Sequence, residues 1–223
     1  MLYIVPTPIG NREDVTLRAL RVLEEVDLIL AEDTRKTGTL LKHFNIKNKL
    51  ISFYEHNEIR KTSQIINELE KGKQIALVSS AGTPTISDPG FKLVRECRQR
   101  EIEVTSLPGP SSIITALSAS SISSDRFTFF GYLPRKKTAR LKFFSQILNW
   151  PTTCVFFESP YRILSTLNEI EKVLGKRKIT VCRELTKKFE EVFESSLKEA
   201  AEHFSKKKPK GEFTLVLGKE TLT

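Results

Sequence analysis

Three cysteines in 223 residues, far apart and each among apolar neighbours, are too few and too scattered for a disulfide framework or a zinc site. Cys97, Cys154 and Cys182 therefore read as buried free thiols. No apolar run approaches the roughly 18 residues needed to span a bilayer. The first residues, Leu2 to Val5, look like a strand rather than a basic stretch followed by an apolar core. A cytoplasmic protein without a membrane segment is expected. After that first strand, Pro6-Thr7-Pro8-Ile9-Gly10-Asn11 holds one glycine where a dinucleotide fingerprint needs three. G-x-x-x-x-G-K-[ST], H-E-x-x-H and G-x-S-x-G are also missing, which excludes the common nucleotide hydrolases, zinc proteases and α/β-hydrolases. No grouping of Asp, Glu, His or Cys has a coordinating spacing, so no metal is expected.

What is abundant is positive charge, and it is unevenly spread. Residues 1 to 122 carry 16 Lys and Arg against 15 Asp and Glu, whereas residues 123 to 223 carry 20 against 12. One cluster holds Arg135, Lys136, Lys137, Arg140 and Lys142; others run from Lys206 to Lys210 and from Lys176 to Lys178. Any one of them reads equally as a solvated helix end or loop tip. Three in one half, beside a neutral half, favour a polyanionic partner.

Strand-like and helix-like periods alternate along the chain. Strands are expected at Leu2 to Val5, Leu28 to Ala31, Ile51 to Phe53, Ile75 to Val78 and Val104 to Leu107, with helices at Thr16 to Glu25, Asn57 to Lys71 and Pro89 to Arg100. Asp88-Pro89 has the form of an N-cap followed by a first-turn proline, and Pro110-Ser111-Ser112 opens a helix from Ile113 to Ala119. The second half offers strands at Phe127 to Phe130, Thr153 to Phe157, Ile179 to Arg183, Phe189 to Glu194 and Phe213 to Leu217. Its helices fall at Lys137 to Asn149, from Ser159-Pro160 to Gly175, and at Leu197 to Lys208. With Ser118 to Ser124 as linker, the fold class is α/β, in two α/β domains of residues 1–120 and 121–223.

Two strand ends stand out, in ALVSSAGTPTISDPG (Ala76 to Gly90) and SLPGPSS (Ser106 to Ser112). Small residues and prolines leave backbone amides and carbonyls uncovered there, and in open α/β sheets ligands sit beyond the carboxyl ends of strands. Taken in order with VPTPIGN, AEDTRKT, EHNE, GYLPRK, FFESPYR, RELTK and KGEF, these loops resemble the tetrapyrrole methylase superfamily. Within it the chain is most similar to the ribosomal RNA small subunit methyltransferase I family, and the likeness runs from end to end. The resemblance implies an S-adenosylmethionine-dependent enzyme that methylates a ribose 2′-oxygen of a cytidine in 16S rRNA. It further implies a homodimer, a cofactor folded in the cleft between the domains, and no metal. The chain departs from the family pattern at Ser80, where an aspartate is usual, and at Tyr161, where a histidine is usual.

On this reading the cofactor is expected against Pro8, Gly10, Ser80, Ala81, Gly82, Thr83, Pro84, Ser111 and Ser112. A ribose hydroxyl is a weak acid, so a base or charge stabiliser aids its attack on an activated methyl group. Glu32, Arg35 and Glu184, near strand ends, are the candidates for the chemical step; each also reads as a helix cap or surface ion pair. Arg135, Lys136, Lys137, Arg140 and Lys187 are expected to hold RNA, either 16S rRNA or the small subunit. His56 reads as a helix-entry residue, Phe143, Phe144 and Trp150 as core, and Tyr132 as a substrate contact. Two alternatives stay open: a methyltransferase of the same superfamily acting on a tetrapyrrole or another small substrate, and a non-catalytic RNA-binding assembly factor.

Overall fold

Short runs of large aliphatic residues, closed by proline or small polar residues, become five parallel strands in the first part of the chain: β1 (Leu2–Ile4), β2 (Leu28–Ala31), β3 (Leu50–Ser52), β4 (Ile75–Val78) and β5 (Val104–Ser106). Their order is β3-β2-β4-β1-β5. A computed structural model describes residues 1–221, which fall into two units, Met1–Ser111 and the chain from Ser112 onward. In the first unit the connecting helices are α1 (Leu17–Glu25), α2 (Thr34–His43), α3 (Glu55–Glu70) and α4 (Phe91–Gln99). The inner strands β2 and β4 are apolar and buried throughout, as a parallel sheet covered on both faces requires. Leu28, Leu30 and Leu77 pack with Ile65, Leu69 and Leu93 of α3 and α4, whereas Ile29, Ala76 and Val78 pack with Leu23 and Leu41 of α1 and α2.

This wiring singles out β4. The connections leaving its two neighbours, β1 and β2, run to helices on one face, and its own runs to α4 on the other. Adjacent strands whose connections part to opposite faces leave a crevice at their carboxyl ends, the usual ligand position in such sheets.

Two sequence expectations change here. Thr34–His43 is a helix rather than a loop, because Asp33 caps it through Oδ1, which accepts from Arg35 N at 2.9 Å and Lys36 N at 3.4 Å. Helix α4 begins at Phe91 after Gly90, so Asp88 is not its cap. The Glu58 carboxylate of α3 takes that role, accepting from Gly90 N at 3.0 Å and Lys92 N at 3.2 Å.

The second unit opens with α5 (Ser112–Ser118) and holds a mixed sheet of β6 (Phe127–Tyr132), β7 (Thr153–Glu158), β8 (Arg177–Arg183), β9 (Glu191–Ser196) and β10 (Phe213–Thr221). The order is β6-β7-β10-β8-β9, with β6 and β7 parallel and the other pairs antiparallel. Helices α6 (Lys137–Gln146), α7 (Ile163–Leu174) and α8 (Leu197–Ser205) share one core with the sheet, in which Phe144, Leu167 and Phe204 meet Phe156, Val181 and Leu215. Phe143 lies at the edge of that core and Phe144 inside it, as expected, whereas Trp150 is exposed and outside it. Cys97, Cys154 and Cys182 are buried free thiols, and burial raises all three to about 11 or 12.

Candidate functional site

At the carboxyl edge of the first sheet, the loop after β4 is fixed at several points along its length. Thr7, just past β1, and Gly82 exchange both backbone hydrogen bonds at 2.9 Å, and the Thr7 hydroxyl donates to Ser79 O at 3.2 Å. Ser80 N donates to Glu32 Oε2 at 2.8 Å, which ties the loop to the end of β2. The Thr83 hydroxyl donates to Pro110 O at 3.0 Å, and Glu58 holds the far end as described. Between these anchors Gly82, Thr85, Ser87 and Gly90 all have positive φ. Such a chain path is costly for residues other than glycine. At Gly90, with φ at +124°, an added Cβ would lie 2.4 Å from Leu77 Cδ2, so only glycine fits the turn into α4.

The expected cofactor residues divide accordingly. Ser80 to Pro84 are brought beside Thr7 and Pro8, and Thr83 beside Pro110; Gly10 is exposed further along its loop. Ser111 ends the first unit and Ser112 begins α5 of the second. Of the candidates for chemistry, Glu32 lies in this crevice with one carboxylate oxygen engaged by the Ser80 amide. The Arg35 side chain is 90% exposed and pairs with Asp33 at 3.1 Å. Glu184 accepts from Lys187 Nζ at 2.9 Å and from Glu212 N at 3.0 Å; burial raises its carboxyl, but these bonds outweigh burial and leave it below the ordinary range.

Two acidic residues were not singled out from the sequence for the site. Glu58 is buried on α3, and helical spacing places it on the face that carries Ile65 and Leu69; a carboxylate on an apolar face was the available signal. Asp88 is raised to about 6, first by burial and then by the charge of Glu32, against a lowering hydrogen bond with Ser79. Nothing in linear spacing indicates that Glu32 and Asp88 are neighbours.

The crevice is therefore lined by carbonyls, hydroxyls and two carboxyl groups. That donor set fits a ligand that carries a cationic sulfonium, an ammonium and ribose hydroxyls. Among the described residues no group of three or more His, Cys, Asp or Glu could hold a metal, and no helix is long and apolar enough to cross a membrane.

The basic residues sort less evenly than their clustering implies. Arg135, Lys136 and Lys137 are exposed. Arg140 is a correction: it is buried, with its guanidinium bidentate to Glu169 at 2.8 Å and donating to Pro134 O and Arg135 O. It fastens α6 to α7, and four of its five N–H donors are used in a buried site that a phosphate does not reach. Lys187 is held between Glu184 and Glu212, so its charge is already matched. In the cluster at Lys176 to Lys178, Arg177 is buried and Lys178 pairs with Glu194 at 2.7 Å.

Residues 1–201 match the family of Tetrapyrrole (Corrin/Porphyrin) Methylases. The chain is 49% identical over 220 residues to ribosomal RNA small subunit methyltransferase I of Thermotoga maritima, spanning 98% of this chain and 99% of that one. It is 52% identical over 193 residues to the protein of the same name from Vibrio cholerae, spanning 86% of this chain and 67% of that one. Among solved structures it resembles uroporphyrin-III C-methyltransferase from Thermus thermophilus complexed with S-adenyl homocysteine, with a TM-score of 0.67 at 17% identity and coverage of 97% and 96%. That likeness bears on the fold, which is the same two-sheet α/β arrangement. With nine-tenths of its length matched by the family and half its residues shared with these relatives, the chain belongs to the tetrapyrrole methylase family and, within it, to the ribosomal RNA small subunit methyltransferase I group.

Proposed function

We propose that this protein transfers a methyl group from S-adenosylmethionine to a ribose 2′-oxygen of a cytidine in 16S rRNA of the small ribosomal subunit. The reaction would take place in the cytoplasm, with the protein acting as a homodimer. The observation that carries the reading is the near-complete, 49% identity to a relative of that name. The crevice at β1, β2 and β4 supports it from the other side. The Thr7-Pro8 loop, Ser80 to Pro84 and the Glu32 carboxyl group would hold the cofactor there. S-adenosylmethionine supplies an already activated methyl group, so what this chain adds is alignment, exclusion of water and a place for the ribose proton.

Asp88 is the residue assigned to that proton. Its carboxyl at about 6 is mostly ionised at neutral pH yet basic enough to accept, whereas Glu32 is occupied in holding the Ser80 amide. Arg35 and Glu184 are then a surface pair and a loop brace.

The test is transfer of labelled methyl to small subunits and to free 16S rRNA, with the product mapped to the nucleotide. Label on a cytidine ribose oxygen is expected, and Asp88→Asn should lower kcat by about 100-fold or more while cofactor affinity holds. Label on a base, or transfer to a tetrapyrrole instead, would replace this reading.

A further inference from the structure

The registers of the second sheet bring loops distant in sequence to one end. Tyr132 of β6 pairs with Phe157, Phe213 of β10 pairs with both Glu158 and Arg183, and Arg183 pairs with Glu191. Four segments therefore leave from the same edge: the loop after β6, the Ser159–Arg162 turn after β7, the β8–β9 connection, and the approach to β10. They carry Arg135 to Lys137, Tyr161, Lys188-Phe189 and Lys206 to Lys208 respectively. Lys176 to Lys178 lie at the opposite end, where Lys178 pairs with Ser196.

What this end presents is uncommon for a surface. Tyr161 is 88% exposed and Phe189 66% exposed, and Lys188 Nζ lies 5.7 Å from the Phe189 ring centroid. The cations around them are exposed, and no carboxylate among the described residues forms an ion pair with Arg135 to Lys137, Lys188 or Lys206 to Lys208. Of the nearby carboxylates, Glu158, Glu184, Glu191 and Glu212 are committed to Arg162, Lys187, Arg183 and His203, and Glu190 accepts from the Thr186 amide, so these exposed cations are set against one carboxylate that has no cation of its own. The edge thus combines bare rings with unmatched positive charge. Unstacked bases need a flat apolar face, and the backbone between them needs cations.

We propose that this end of the second unit is a platform for single-stranded RNA, on which Tyr161 and Phe189 stack unpaired bases while the flanking Arg and Lys side chains hold the phosphates. This rests on the function proposed above and gives that substrate a form: an unpaired segment rather than a duplex. Tyr161, where the sequence departs from the family pattern, keeps a stacking ring.

The experiment measures binding of a mixed-sequence single-stranded RNA, and of a duplex of equal length, to the full chain and its variants across a salt series. Tyr161→Ala and Phe189→Ala should each weaken single-strand binding about tenfold without changing the salt slope, and Tyr161→Phe should bind as the parent does. Lys136→Ala with Lys137→Ala should instead flatten the slope by about 1.4. Both aromatics are exposed, so thermal unfolding of the variants should match the parent. Unchanged affinity in both aromatic variants, or an equal loss on the duplex, overturns the platform. So does dissociation of a dimer by these substitutions, which would make the face a contact between copies. Methyl transfer to small subunits separates the two readings: binding on this face without transfer defeats the proposed function, and full transfer by both alanine variants defeats the platform alone.

Discussion

Both units end in a functional-looking sheet edge, but the carboxylates at the two edges have different main partners. In the first unit, Glu32 and Glu58 accept from backbone amides and fix the loop from Ser79 to Gly90. In the second, Glu158, Glu169, Glu184, Glu191, Glu194 and Glu212 are set against Arg, Lys or His side chains. A carboxylate bonded to main-chain N–H groups fixes atoms to within tenths of an ångström, which suits a small ligand that must be aligned. Carboxylates that cancel selected cations leave others bare, which suits a polymer read through its phosphates.

The comparison is tested hardest at Arg140, which lies among the basic residues of the second unit yet is built like a core group. Removing it leaves the Glu169 carboxylate buried without a partner, so Arg140→Ala should destabilise the protein by about 3–5 kcal/mol. Replacing both partners with methionine should recover most of that loss. Urea unfolding measures both. An Arg140→Ala protein of parental stability that binds RNA weakly would return Arg140 to the phosphate-binding set.

A smaller effect separates the two kinds of carboxylate directly. Glu58→Ala removes the acceptor of one buried and one part-buried amide at the start of α4 and should cost about 2 kcal/mol. Cofactor affinity should fall with it, because the loop loses its far anchor. Glu212→Ala, at a 73% exposed side chain bridging to Lys187, should change stability by less than about 0.5 kcal/mol. Paired unfolding curves and calorimetric titration with S-adenosylmethionine check this, and equal costs at the two positions would erase the distinction.

How far the sequence revealed this depends on the kind of signal. The strands and most helices were legible because apolar periodicity is local, and observed boundaries lie within a few residues of those expected. Helix α2 was missed because only Thr37 and Leu41 of its ten residues are buried, too sparse a stripe to show a period. The start of α4 was misplaced because its cap is Glu58, on another helix, while Asp88-Pro89 imitates a local one. In the site, the small-residue loops were legible as exposed backbone. The Glu32–Asp88 neighbourhood was not, since it depends on β2 and β4 lying side by side. Charge clusters misled for a related reason: a count of Lys and Arg cannot distinguish Arg140 and Arg177, which are buried, from Arg135 and Lys136, which are not.

The gentlest test concerns Asp88, whose carboxyl is raised toward neutrality by its surroundings. Burial and then the charge of Glu32 lift it from 3.8 to about 6, with Ser79 pulling the other way. Between those two values the folded chain keeps a proton that the unfolded chain has released, so stability falls as pH rises through this window and levels off above it. Asp88→Asn removes the group that must ionise. At pH 7 the variant should be more stable than the parent by about 1 kcal/mol, a figure reduced for the water that still reaches the side chain. Below about pH 3 the difference should vanish, because both states of the parent are then protonated. Urea unfolding at intervals from about pH 3 to pH 8 reads this out. Paired with the loss of kcat expected for the same variant, a gain in stability would mark Asp88 as a group kept for chemistry at the expense of the fold. A variant less stable at pH 7 would instead make it a structural brace, as Glu32 and Glu58 are through their bonds to backbone amides.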